Sequence, residues 1–194
     1  MDKPKKLPIY TLVMKDESDD SGVNYVALVD QPAIERNFFA FSKEFKFAAD
    51  EERRIVTGPL MIADLPIYRR NETMGEFYVV FDKAQIELMV QKFMRNGFQS
   101  NVNLMHDSQE KVGGCTMFES FIVDKQRGIL PPKGFEKITE GSWFGSYKVD
   151  NEEVWNMIKS GTFQGFSVEG LFDLVPQQSS LESQILDIIE GING

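Results

Sequence analysis

Runs of apolar residues broken by charged turns dominate the first half of the chain. Residues 10–14 and 23–29 read as β-strands, and the charged KDESDD between them (15–20) reads as the solvated loop of a hairpin. Gln31-Pro32 ends the second strand, and the aromatic-rich 35–47 that follows has no clean helical period and is left unassigned. Further strands are expected at 54–60 and 77–81, joined by a loop carrying Pro66, Asn71 and Gly75. Residues 82–97 form the clearest helical pattern. Asp82 can cap it, Ile86, Met89, Val90 and Phe93 recur at three- and four-residue spacing, and Gly97 stops it.

The second half alternates in the same manner. Strands are expected at 101–107, 114–124 and 145–149, with a possible direct hairpin between the first two turning at 108–111. A helix is expected over 151–160, with Asp150 and Glu153 spaced as a capping box and Gly161 as terminator. Residues 166–175 then alternate well: Phe166, Val168, Phe172 and Leu174 share one face, and Ser167, Glu169 and Asp173 share the other. After Pro176 a polar link, QQSS, leads to a short amphipathic helix over 181–190. Many strands, two internal helices and no regular strand-helix alternation predict an α+β fold with a curved or closed antiparallel sheet. The expected organisation is one domain over 1–175 followed by the link and helix of 176–194.

Composition narrows the function classes. Among 194 residues, 42% are hydrophobic and 16 are Phe, which suits a packed core rather than a disordered chain. A net charge of −9 argues against nucleic acid as partner, since phosphate backbones demand basic surface, and the Lys-Pro-Lys-Lys at Lys3 to Lys6 is too short to reverse that. No apolar run reaches membrane-span length and the start lacks the apolar centre of a signal peptide, so a cytoplasmic protein without a membrane partner is expected. One cysteine excludes an internal disulfide, and one cysteine with one histidine disfavours zinc, so neither metal nor cofactor is expected.

The candidate chemistry centres on SGTFQGFSVEG (160–170). A serine nucleophile needs a base, and His106 is the single histidine of the chain. Because His106 precedes Ser167, and Glu169 stands at the last position of what would be G-x-S-x-G, the α/β-hydrolase order is excluded. Each residue also has a plain structural reading. His106 shares a strand face with Val102 and Leu104 and could be a core histidine, Ser167 could be an ordinary strand serine, and Cys115 could be a small buried hydrophobe rather than an alternative nucleophile. For a third member, Glu119 would lie on the order of 20 Å down a hairpin strand from His106, whereas Glu169 is roughly 7 Å from Ser167 on the same face.

Several segments carry a family resemblance: NVNLMHDSQEKVGG, then ESFIVD, then GSWFGSYKVDNEEVWNMIKSGTFQGFSVEG, with RIVTGPLMIADLPIYR and GEFYVVFD upstream. Over roughly 23–174 the chain resembles the capsid maturation (prohead) serine proteases of tailed bacteriophages, in their XkdF-like branch. The resemblance implies an assemblin-like fold, a small mostly antiparallel β-barrel with surrounding helices, acting as a homodimer on scaffold and major capsid proteins inside the assembling prohead in the host cytoplasm. It also implies Ser167 as nucleophile, His106 as general base and backbone N–H groups of a nearby loop as oxyanion donors. Relatives carry the acid on a strand after the serine, followed by Pro-Ala. Here the similar YVALVDQPA (25–33) lies near the N-terminus, with Tyr25 where the acid would be, which implies a circularly permuted strand order. Glu119, in the family-like ESFIVD, is then the first choice for the third catalytic member and Glu169 the second. Some proteases of this kind cut after glutamate preceded at two positions by Ile or Leu. Ile188-Ile189-Glu190 followed by Gly191 fits a self-cleavage site, with a docking helix as its structural alternative.

Overall fold

The computed structural model describes residues 7–14, 21–30, 46–107 and 111–177. The expectations for Lys3 to Lys6, the 15–20 loop, most of 35–47, the 108–110 turn, the C-terminal helix and the Glu190 site lie outside these residues. Eleven strands, two α-helices and a 3-10 turn are described, an α+β arrangement dominated by strand.

The strands fall into three sheets. In the first, β1 (Ile9–Val13) lies between β11 (Asp173–Pro176) and β6 (Gly75–Val80), and β5 (Ile67–Asn71) pairs with β6 at the edge. In the second, β2 (Gly22–Val29) lies between β10 (Gly165–Leu171) and β7 (Val102–Leu104). The third is antiparallel throughout, in the order β3 (Ala48–Asp50), β4 (Ile55–Met61), β9 (Trp143–Val149), β8 (Cys115–Ile122). Among the described residues the pairings do not close into a barrel. No helix among them is long and apolar enough to cross a membrane.

Two expected hairpins do not form. β1 and β2 separate into different sheets, each gaining a parallel partner from farther along the chain, β6 and β7 respectively. The burial of β2 explains its choice: Val26 to Val29 are all buried, as suits a strand covered on both faces and flanked on both edges. Likewise β7 does not pair with β8: Asn103 bridges Lys111 and the Val112 N–H donates to the Val102 carbonyl at 2.8 Å, but both partners precede β8, which joins β9. The strands missed from the sequence, β3 and β5, are both sheet edges, and YRRN of β5 is mostly polar because one side of an edge strand meets water. The expected strand over 166–175 is two strands, β10 and β11, broken at Phe172.

The helices follow their local signals. In α1 (Lys83–Arg95), Asp82 caps the first turn by accepting from the Gln85 amide at 2.7 Å, and Ile86, Met89 and Phe93 are fully buried. Each such side chain contributes about 2 kcal/mol by leaving water. In α2 (Glu152–Lys159) the cap is Asn151, one residue beyond the expected Asp150, and its side chain accepts from Val154 N at 3.1 Å. One continuous core joins both helices to all three sheets through Val26, Val56, Phe77, Phe93, Trp143 and Trp155.

Two positions have direct consequences. At Gly170 an added Cβ would stand 1.7 Å from the Gly22 carbonyl oxygen, so only glycine permits this approach of β10 to β2. Gly170→Ala is expected to destabilise the fold by about 3 kcal/mol, read as a fall in Tm of roughly 6–12 °C by thermal unfolding. Cys115 is buried, and that burial, reinforced by the charge of Asp150, pushes its thiol up from 9.0 to about 11. A buried thiol held protonated makes a poor nucleophile. At pH 8, labelling of Cys115 by a disulfide reagent should therefore be at least about 100-fold slower in the native chain than in denaturant.

Candidate active site

Cross-strand register builds the site. Ser167 on β10 lies opposite Ala27 on β2, and Ala27 lies opposite Asn103 on β7, so the three side chains line up across one face of the sheet. Glu169, two residues beyond Ser167, falls on the same face and opposite Tyr25. The N-terminal strand with Tyr25 thus sits between the serine strand and the strand that leads to the histidine. Behind Ser167, Phe166 is clamped between Phe47 and Tyr147, with ring centroids 5.3 and 5.1 Å away, which fixes β10 against the core.

His106 reaches this face through an unusual turn. β7 ends at Leu104, and Met105 and His106 both adopt left-handed conformations, φ 52° and 65°, closed by the Asp107 N–H donating to the Leu104 carbonyl at 2.9 Å. Left-handed backbone costs about 1–2 kcal/mol per residue with a Cβ. The Met105 N–H donating to the Leu28 carbonyl at 3.0 Å helps hold the turn. In a continued strand His106 would have followed Val102 and Leu104 toward the core. The turn instead aims the ring at the polar face, and the side chain is 36% exposed, which removes the core-histidine reading.

There His106 Nδ1 lies 2.8 Å from Glu169 Oε1. The same oxygen accepts a second hydrogen bond at 2.8 Å from Asn103 Nδ2. Asn103 is fully buried, and its Oδ1 has no hydrogen-bond partner among the described residues, at a cost of about 1–3 kcal/mol. Since an ionised carboxylate only accepts, its pairing puts the neutral imidazole proton on Nδ1 and leaves Nε2 with a free lone pair, the state required of a general base.

Ser167 is 5% exposed and, with His106, lines a cavity of about 650 Å³. Its walls are largely apolar and come from two further sheets: Leu12, Ile67, Phe77 and Val79 of the first, Leu60 and Met61 of the third. A serine hydroxyl and an acid-oriented imidazole lining one largely apolar cleft form an arrangement capable of nucleophilic acyl transfer.

Glu119 is elsewhere. It lies on β8 beside a bulge, opposite Ser146 of β9, and lines a separate pocket of about 210 Å³ with Asp50 and Arg53. Arg53 is held charged first by its hydrogen bond to Asp50 and more weakly by the charge of Glu119. Glu119 stands on the third sheet whereas His106 follows β7 of the second, so the structure brings Glu169, the second choice, to the histidine. Asn103 was missed. A polar residue between apolar neighbours in an expected strand was its one sequence signal, and that pattern also describes any half-exposed strand. Among the described residues no three Cys, His, Asp or Glu side chains cluster as metal ligands would.

Comparison with known proteins adds a lineage to this geometry. The chain is 28% identical over 185 residues to "Uncharacterized protein YqbD" of Bacillus subtilis (strain 168), covering 88% of this chain and 51% of that protein. It is 24% identical over 176 residues to "Phage-like element PBSX protein XkdF" of the same organism, covering 85% of this chain and 58% of that protein. The chain therefore spans a little over half the length of these relatives. No solved structure matches it. The model of the family described as "Putative phage serine protease XkdF" matches residues 43–175, well over half of the sequence, and the chain belongs to that family.

Proposed function

We propose that this chain is a serine endopeptidase that cleaves scaffold and major capsid proteins during phage prohead maturation, with Ser167 as nucleophile, His106 as general base and Glu169 as the acid that orients it. The observation that carries this reading is the shared Glu169 oxygen: it fixes the tautomer of a histidine that lines one cavity with Ser167. Family membership supports the peptidase class. The scaffold and capsid substrates, the homodimer and the prohead location belong to the proposal through the resemblance of the sequence motifs.

In this mechanism Ser167 Oγ attacks the scissile carbonyl while His106 Nε2 takes its proton. Backbone N–H groups hold the oxyanion, and the proton then passes to the leaving amine. Glu169 stabilises the imidazolium without itself taking the proton. Water repeats the sequence on the acyl-enzyme and frees Ser167. The apolar walls beside the serine offer a seat for an aliphatic substrate side chain and limit competing water.

A fluorophosphonate probe tests the reading without a known substrate, because attack by an activated serine forms an O–P bond and expels fluoride. Mass spectrometry should find the label on Ser167 of the native chain and none on Ser167→Ala. The rate should fall at least about 1000-fold in His106→Ala and on the order of 100-fold or more in Glu169→Gln. Glu119→Gln should stay within about twofold of the native rate, as a surface substitution away from the site. An unlabelled native chain would instead favour a non-catalytic capsid assembly or scaffold-binding protein that retains this fold.

Self-cleavage after Glu190 is a further part of the proposal. Under assembly conditions the active chain should lose its last four residues by mass spectrometry while Ser167→Ala keeps them. An intact active chain would remove self-cleavage and leave the serine chemistry standing.

A further inference from the structure

We infer that Asn103 is a positioning residue for the Glu169–His106 pair, a role that rests on the serine-protease reading above. Two donors converge on Glu169 Oε1, one from the His106 ring and one from the Asn103 amide, each at 2.8 Å. They differ in what stands behind them. The histidine is partly exposed on a strained turn, whereas Asn103 is fully buried in β7 and anchored by pairing with β2. A glutamate has three rotatable side-chain bonds, and a single bond to a partly exposed ring would leave its carboxylate free to swing into the adjoining cavity. The buried amide supplies a fixed second point.

Three features make the assignment specific to the donor of Asn103. First, a carboxylate can only accept, so the amide nitrogen must face it and the amide orientation is determined. Second, the oxygen of the same amide is left buried without a partner among the described residues. A buried strand position needed for packing alone is better filled by Val or Ile, which would leave no orphaned oxygen. Third, fully buried Ala27 stands directly between Ser167 and Asn103 in the register. Its small side chain leaves room for the amide to reach across β2 to Glu169. The consequence for chemistry is that Asn103 holds the carboxylate where His106 keeps its proton on Nδ1 and offers Nε2 as the base.

The rival role, a structural tie between β7 and β10, predicts a loss of stability with no change in the histidine. The single histidine of the chain makes the distinction measurable, since long-range ¹H–¹⁵N spectra of the full chain contain one imidazole. The native neutral ring should be the Nδ1–H tautomer. In Asn103→Leu, similar in volume but without the donor, the ring should move toward Nε2–H, the form favoured by a free histidine side chain. Fluorophosphonate inactivation should fall roughly 10- to 100-fold in its limiting rate, as expected for a misplaced catalytic group, with the probe's binding constant unchanged. Asn103→Val, which also removes the donor, should move both readouts in the same direction and serves if the Leu variant does not fold. A ring that stays Nδ1–H in the folded variant, with inactivation within about threefold of native, overturns the proposal whatever happens to Tm. If the native chain takes no label at Ser167, the protease reading fails while the tautomer measurement still decides the role of Asn103.

Discussion

Pairing of β2 with two strands that are far apart in sequence is the constraint on which the site depends. β10 meets it antiparallel on one edge and β7 meets it parallel on the other, and these contacts join residues 63 and 66 positions apart into one hydrogen-bonded cluster. The opposite face of the same three strands carries Val26, Leu28, Val102 and Phe166 into the main core. A one-residue slip of β2 would exchange these apolar side chains for Ala27 and Tyr25 on the core side and would also break the row from Ser167 to Asn103. Core burial therefore enforces the register, and the register places the serine, the acid and the amide. No separate device is needed to align them.

Against that rigid frame, the local backbone around the site is held in costly forms. Met105 and His106 occupy left-handed conformations, and Gly170 lets β10 approach Gly22 more closely than any other residue would allow. The orphaned Asn103 oxygen adds a further cost. Such features persist where the surrounding structure over-determines them, and here they lie within a few residues of Ser167, Glu169 and His106. Polar side chains of the third sheet pair across its strands. Thr57 bonds Ser146 at 2.8 Å, and Trp143 Nε1 donates to Ser120 at 2.9 Å. Glu119, in that region, belongs to a charged surface pocket with Arg53 and Asp50 rather than to the cleft. The two glutamates occupy the same expected role in the sequence and have different environments in space.

The family of phage serine proteases to which the chain belongs gives these observations a chemical context. The reverse inference is also useful. The histidine, serine and glutamate recur in the order His106, Ser167, Glu169, and the last two are separated by one residue on a single strand. One strand thus carries Ser167 and Glu169 together, and a separate turn brings His106 to Glu169. This division makes the site sensitive to the β7 turn in particular, because β10 alone cannot orient the imidazole.

Much of the local structure was legible in the sequence. The period and cap of α1, the alternation that puts Ser167 and Glu169 on one face, and the isolation of His106 as the sole imidazole base all follow from residues near one another in the chain. Edge strands β3 and β5 were not legible, because half-exposed strands lack an apolar row. Neither were the partners of β1, β2, β7 and β8, for which local proximity suggested hairpins. Strand pairing depends on which distant apolar faces complement one another, and no short-range period records that. The choice of Glu169 over Glu119, the turn that lifts His106 off the core face and the buried amide of Asn103 all hang on those pairings. The sequence determined the chemistry available to this chain. Tertiary structure alone decided which carboxylate meets the histidine and which amide meets that carboxylate, because only the packing of β2 between β10 and β7 brings them within hydrogen-bond reach.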